Sequence, residues 1–358
     1  MTHVQLLATR LRLAALFLSM PFWCGSIASA QTKTSAFVLL QDARNLLVTS
    51  DKVVPATNPV NEKALDLARQ ALGQSFGFET LRKDDPIIDE YISHISARIA
   101  QEFVRESQLK ASHNDWAGAI NARLNAVELG VKLESSDAHA SFAGLYADHI
   151  ESVAMKGIFP LVSHLNSASA LSLAARVDSI ENERPDWFKL LEKTRVQNRQ
   201  HNEEYLQKPD WKEQIVKDSS EEHDGFYTSV PLADMENVSP PILQKEVEQL
   251  WDNYLKNARR PFRTKTLTLD FKPHEAARFL FTVPDSNWQE TYYVARTRTL
   301  LLACTLKLQA IHEQTGAYPH TFNTPVDPFG NGAPLIYLRT SDSYHLGSVG
   351  PGATSRFR

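Results

Sequence analysis

Cysteine is nearly absent from this chain: Cys24 and Cys304 are the two among 358 residues. That excludes a scaffold stapled by several disulfides. Glycine is scarce too, 14 residues, which disfavours a turn-rich β-sandwich and favours helices. Positive charge is not in excess, with 38 Lys and Arg against 42 Asp and Glu. A basic face for nucleic acid is therefore not expected. Signatures of common chemistries are missing as well. There is no H-E-x-x-H, no C-x-x-C, no phosphate-binding G-x-x-x-x-G-K-S/T and no dinucleotide glycine fingerprint. Nor is a nucleophile elbow recognised: Gly347-Ser348-Val349-Gly350 has the wrong glycine spacing and no helix after it. What is present, 42% hydrophobic and 22% charged residues, is the composition of a globular protein long enough for about two domains.

The first thirty residues read as a cleaved secretory signal peptide. Arg10 and Arg12 supply a positive start, Leu13 to Trp23 an apolar stretch, and Ala28-Ser29-Ala30 an A-x-A cleavage site. The apolar run is shorter than the roughly 20 residues a membrane span needs, and Pro21 interrupts it. Phe22 and Trp23 are too bulky for a lipidation signal ahead of Cys24. The expected mature chain begins at Gln31, is periplasmic or secreted, and has no stable membrane insertion. Its net charge is −6, because two arginines and no acid leave with residues 1–30. Cys304 is then its sole cysteine. With Leu300, Leu301, Leu302 and Leu306 around it, it reads as a buried small hydrophobe rather than a reactive thiol.

The body reads as mainly α, a helical bundle or an array of helical hairpins. Ile88, Tyr91, Ile92, Ile95, Ile99 and Phe103 recur at helical spacing behind Asp85 as N-cap and Pro86 at N1. Further helices are predicted at about 59–72, 115–134, 137–157, 167–183 and 185–206, completing a helical domain over 31–206. Pro160 after Gly157 ends or kinks one of them. From Ile95 to Leu133 the helix, the turn Ser112-His113-Asn114-Asp115-Trp116 and a second helix with Ala119, Ile120 and Ala126 have the spacing of one tetratricopeptide unit. The period does not recur, and two antiparallel helices of an ordinary bundle are the preferred reading.

Residues 207–239, rich in charge and punctuated by Pro231, read as a linker or flap. A helical stripe restarts at Leu243, Val247, Leu250, Trp251 and Tyr254, and a short strand is expected over 262–271. A long helix follows from Trp288 to Thr315, within a helical segment 240–315. Val294, Thr297, Leu301, Cys304, Leu308 and Ile311 form its buried seam, while Arg296, Arg298 and Lys307 keep it out of a membrane. After Gly316 the pattern turns β-like: Leu335 to Leu338, a polar turn, then Tyr344-His345-Leu346.

That last region carries an ordered series: Gly316-Ala317-Tyr318-Pro319, Asp327-Pro328-Phe329-Gly330, Pro334-Leu335-Ile336-Tyr337 and Tyr344-His345-Leu346-Gly347-Ser348-Val349-Gly350. It resembles the C-terminal β region of type II secretion major pseudopilins, and the tail of exported, mostly helical bacterial proteins of uncharacterised role. The resemblance covers residues 316–350 and implies a small antiparallel β module. It does not imply filament assembly, because this chain has a cleaved signal where pseudopilins keep a membrane helix. It does not imply calcium binding either, because the tail from Pro351 to Arg358 lacks their acidic end. The residues themselves make structural sense. Asp327 can accept backbone N–H groups in an Asx turn, and Tyr337 and Tyr344 can pack across a hairpin onto the long helix.

Three polar clusters remain. Asp137, His139, Asp148, His149 and Glu151 fall on one helix, yet the two histidines stand about 80° apart around it and do not converge. Glu221-Glu222-His223-Asp224 reads as a solvated charge run. Arg195, Asn198, Arg199, His201 and Glu204 could line a groove where arginine would suit a carboxylate or phosphate. No catalytic, cofactor-binding or metal-ligating residue is assigned, and no cofactor is implied. The leading expectation is an exported non-catalytic protein that binds a protein partner in the cell envelope. The alternatives are a hydrolase with scattered catalytic residues, such as His149 or His201, and a helical bundle binding a small ligand between its helices.

Overall fold

The computed structural model describes residues 35–47, 59–76, 86–136, 140–221, 229–259, 271–281, 288–350 and 354–355. The expected signal peptide, Asp85, Asp137, His139, Glu222, His223, Asp224 and the strand over 262–270 lie outside the described residues. The elements are α1 (Ala36–Leu47), α2 (Glu62–Leu72), α3 (Pro86–Ser112), α4 (Trp116–Ser135), α5 (Ala140–Met155) and the single turn α6 (Phe159–Val162). Then come α7 (Ser167–Glu183), α8 (Trp187–Leu206), α9 (Trp211–Glu221), a 3₁₀ turn at Leu232–Met235, α10 (Pro240–Ala258), α11 (Glu275–Leu280) and α12 (Trp288–Thr315). Three short strands close the order: β1 (Ile336–Arg339), β2 (Tyr344–Gly347) and β3 (Thr354–Ser355). The protein is mainly α with a small antiparallel β module.

Helices begin where a short polar side chain can take a free N–H of the first turn. Asn61 accepts from Ala64 N before α2, Asp115 from Gly118 N before α4, Asn166 from Ser169 N before α7 and Asp186 from Phe188 N before α8. Gly157, at φ +78°, turns the chain between α5 and α6, and Gly316, at φ +74°, follows the end of α12. Both positions demand the left-handed backbone that glycine adopts without strain.

The largest core joins α1 to α5 with α7 and the middle of α12, through side chains such as Leu40, Phe103, Leu124, Val177 and Leu302. Each such side chain, fully removed from water, contributes about 1.5–3 kcal/mol. The α3–α4 hairpin turns at His113, Asn114 and Asp115 and packs on α5, as one helical layer of this core. A second core gathers Leu206, Trp211, Ile215, Met235, Leu243, Trp251 and Leu280.

Residues 207–239 are therefore not a bare linker in their described part. They hold α9 and the 3₁₀ turn, and Trp211, Ile215, Val230, Met235 and Val238 are buried in the second core. The dense charge of this stretch is one solvated face, and its sparse apolar residues supply the other. Trp187, Leu191, Trp288 and Tyr292 link the two cores. The C-terminal half of α12 turns Leu301, Cys304 and Leu308 toward Leu335, Tyr344 and Leu346 of the β module. Among the described residues no helix is long and apolar enough to cross a membrane.

Candidate functional site

Asp148 and Glu151, spaced i, i+3 on α5, share its buried side and meet Glu134 from the end of α4 and Arg184 from the residue after α7. Arg184 donates from Nη1 to Glu134 Oε2 at 3.1 Å and to Glu151 Oε1 at 3.0 Å. Its Nη2 reaches Glu151 Oε2 at 2.6 Å and its Nε reaches Glu181 Oε2 at 3.0 Å. Arg296 of α12 adds a bond to Glu181 at 2.6 Å. Burial pushes the Glu134 and Glu151 carboxyls above their ordinary range, while Arg184 pulls both back. Burial opposes the charge on Arg184, but Glu151 and Glu134 outweigh it and raise its pKa.

Gly130 makes this meeting possible. A Cβ there would stand 2.8 Å from Glu151 Cγ and 3.1 Å from the Ala147 carbonyl, so α4 and α5 touch backbone to side chain. Among the described residues no group of three His, Cys, Asp or Glu side chains is placed to hold a metal. His149 is exposed on the outer side of α5.

The polar centre of α8 faces α10 and is already matched. Arg195 Nε and Arg199 Nε lie 2.8 and 2.6 Å from Glu248, and Arg195 also pairs with Asp252 at 2.8 Å. Burial alone would raise the Glu248 carboxyl, yet hydrogen bonds from Arg199 and Arg195 hold it below its ordinary range. A groove of about 330 Å³ runs here past Arg199, Asn202, Val247, Glu248 and Leu280. The carboxylate these arginines suit is thus the chain's own Glu248. Asn198 and Asn202 donate to the Leu280 carbonyl at 2.9 and 3.1 Å, and Trp251 Nε1 donates to Asn198 Oδ1 at 2.8 Å. They tie α8 to α10 and α11. His201 and Glu204 are exposed.

The ordered motifs of the C-terminal module close on one buried carboxylate. Asp327 Oδ1 accepts from Phe329 N at 2.9 Å and from Ser348 Oγ at 2.8 Å, and its Oδ2 accepts from Val349 N at 2.9 Å. Pro328 and Gly330 shape the turn, with Gly330 N on the Asp327 carbonyl at 2.8 Å. A Cβ on Gly350 would lie 2.1 Å from Phe329 Cδ2, so the second glycine of G-S-V-G is required by packing. Tyr337 donates to the Pro319 carbonyl at 2.7 Å, and Tyr318 stands edge-on to Tyr344 at 4.7 Å. β1 pairs antiparallel with β2, Tyr337 opposite Leu346 and Leu338 opposite His345, and β2 pairs with β3.

This register sorts the side chains. Leu335, Tyr344 and Leu346 go in against α12, while Pro334, Ile336 and Leu338 go out. Val326, bridged to Pro334, joins the outer side, so the sheet exposes an apolar stripe in which Val326 and Leu338 are each 59% accessible. Comparison with protein-family models, curated proteins and solved structures finds no match to this chain. The reading of its sites therefore rests on their own geometry.

Two features escaped the sequence. Glu134 and Arg184 join the Asp148 pair from far along the chain; the signal for Glu134 was its place beside Val131 and Leu133 on a helix buried nearly all round. One G-x-S-x-G string also exists, Gly73-Gln74-Ser75-Phe76-Gly77. It follows α2 rather than a strand, so it corrects the motif reading without supplying a nucleophile elbow.

Proposed function

We propose that this chain is an exported, non-catalytic protein of the cell envelope that binds another protein through the outer face of its C-terminal sheet. The apolar stripe Val326, Pro334, Ile336 and Leu338 carries the reading. Exposed apolar residues are ordinary when scattered, but a contiguous patch on a rigid element marks an interaction surface. β1 is also an edge strand among the described residues, able to offer backbone groups to an extended partner. Export rests on the signal-peptide pattern of residues 1–30, which supports a location in the periplasm or outside the cell. The resemblance of residues 316–350 to pseudopilin β regions fits a module shared by proteins of the envelope.

The enzymatic and small-ligand readings find less support. His149 and His201 are exposed on separate helices, while the buried Glu134 and Glu151 are engaged with Arg184. The buried arginines have structural work: Arg123 donates to Ser107 Oγ and to the carbonyls of Ala154 and Lys156 at the end of α5.

The test is a photo-crosslinking side chain installed at Ile336 or Leu338 in the exported protein, with Leu171, exposed on α7, as control. One discrete protein adduct from both sheet positions, missing at Leu171, is the expected result. Adducts no stronger at the sheet than at Leu171 would overturn the reading. The amino terminus of the exported protein is expected at Gln31.

A further inference from the structure

The junction of α4, α5, α7 and α12 holds more acid than its cations neutralise. Glu134, Asp148 and Glu151 are each more than nine-tenths buried, and the guanidinium of Arg184 is buried with them. Four hydrogen bonds from Arg184 go to Glu134, Glu151 and Glu181, and Arg296 serves Glu181 from the rim. Asp148 is left out. Among the described residues no salt bridge reaches its carboxyl, which meets the Thr291 hydroxyl of α12 instead, and Oε1 of Glu134 lacks a hydrogen-bond partner. A buried carboxylate in that position neutralises itself by taking a proton rather than staying charged.

The other polar groups at this seam are shared or engaged elsewhere. On α12 the Thr291 hydroxyl lies between the Trp288 carbonyl and Asp148, and Tyr292 donates to the Pro185 carbonyl. Lys193 of α8 donates to the Ser136 carbonyl, and His94 of α3 lies against Tyr146, two residues before Asp148. The seam is also tight. One turn before Asp148, a Cβ on Gly144 would stand 2.3 Å from the Trp288 indole nitrogen, so α5 and α12 touch closely there.

We propose that Asp148 carries a proton in the folded protein at neutral pH and acts as a pH-dependent latch on the α5–α12 seam, which loosens when that proton leaves. Burial pushes this carboxyl up to about 8, with Thr291 and Arg184 pulling against it and Glu151 adding to it. The sign follows from linkage. The unfolded chain gives up this proton near pH 4 and the folded chain keeps it to about pH 8, so folding stability falls as pH rises between those values and levels off above them. The folding equilibrium weakens by up to about tenfold per pH unit across that window.

The experiment compares the full chain with Asp148→Asn, whose amide cannot ionise. The wild type is expected to lose thermal stability relative to the variant between about pH 5 and about pH 8, with faster amide exchange over residues 140–155. Parallel stability curves for the two proteins would overturn the proposal. Should the variant fail to fold, the infrared carbonyl band of a protonated carboxyl in the wild type decides. Its presence near pH 6 and loss by about pH 10 supports the latch, and its absence near pH 6 overturns it. Loss of the pH dependence in Glu134→Gln but not in Asp148→Asn would place the proton on Glu134 and also overturn the assignment.

Discussion

Arg184 shows how one side chain can decide whether a buried cluster is tolerable. It reaches three glutamates from three separate stretches of chain, and its removal leaves Glu151 and Glu134 without their cation. Breaking a buried pair from one side costs about 3–5 kcal/mol, whereas removing all of its charges together can be nearly neutral. Arg184→Met is therefore expected to lower the unfolding free energy by roughly that amount in urea titration at neutral pH. Adding Glu134→Gln and Glu151→Gln to it should restore much of the loss. A single substitution with no measurable effect would mean that the cluster is not formed as described. Asp327 works differently. Its three accepted bonds are local and join two turns of the β module, so its pattern shows in sequence as D-P-F-G and S-V-G. Cys304 is a third case: burial pushes its thiol up to about 12, which agrees with its leucine-rich setting and leaves it unreactive.

At the scale of elements, the helices with clear caps and one apolar stripe were legible. The periodicity predicts a long helix from about Trp288 to Thr315, and α12 ends there because Gly316 takes the left-handed turn. α7 was read to its limits behind the cap Asn166. α1 and α9 have weaker sequence patterns. α9 has Trp211 and Ile215 one turn apart as its buried apolar side chains, and the charged residues between them hide the stripe. What sequence could not show at all is how closely two helices approach. Gly144 looks like an ordinary helix-weakening glycine until Trp288 is placed on it. Gly144→Ala is expected to cost about 1–3 kcal/mol by overpacking, despite alanine's better helix propensity. The readout is a lowered melting temperature together with altered tryptophan fluorescence. A stabilised protein would show that the seam has room.

At the scale of the whole molecule, α12 is the common member. Its middle completes the main core, its start meets Trp187, and its last turns carry the β module. The module therefore presents its outer stripe from a rigid base, which suits a docking surface. It also covers Leu301, Cys304 and Leu308. A chain ending at Gly316 is expected to bind a hydrophobic dye in its folded state and to lose solubility, since those side chains would lie bare. An unchanged dye signal would mean that the helical body covers them by itself. Only the outward half of the module is then free for a partner. Leu338→Lys should leave the folding free energy within about 0.5 kcal/mol of the wild type while weakening capture of the proposed partner.

The sequence by itself determined the mainly helical body, the limits of its best-capped helices and the existence of the C-terminal β module. These follow from near-neighbour effects: caps, 3.6-residue periodicity, and prolines and glycines that restrict or free the backbone. It also pointed to the tyrosines and the aspartate that organise that module, since Asp327, Tyr337 and Tyr344 each have a partner within the same module. Tertiary structure alone decided the rest. It brought Glu134, Asp148, Glu151 and Arg184 into one dry junction, turned Arg195 and Arg199 onto Glu248, and placed Ile336 and Leu338 outside. The reason is physical. The charge a buried carboxyl can bear depends on what surrounds it in space, and residues fifty positions apart choose those surroundings together only when the helices pack.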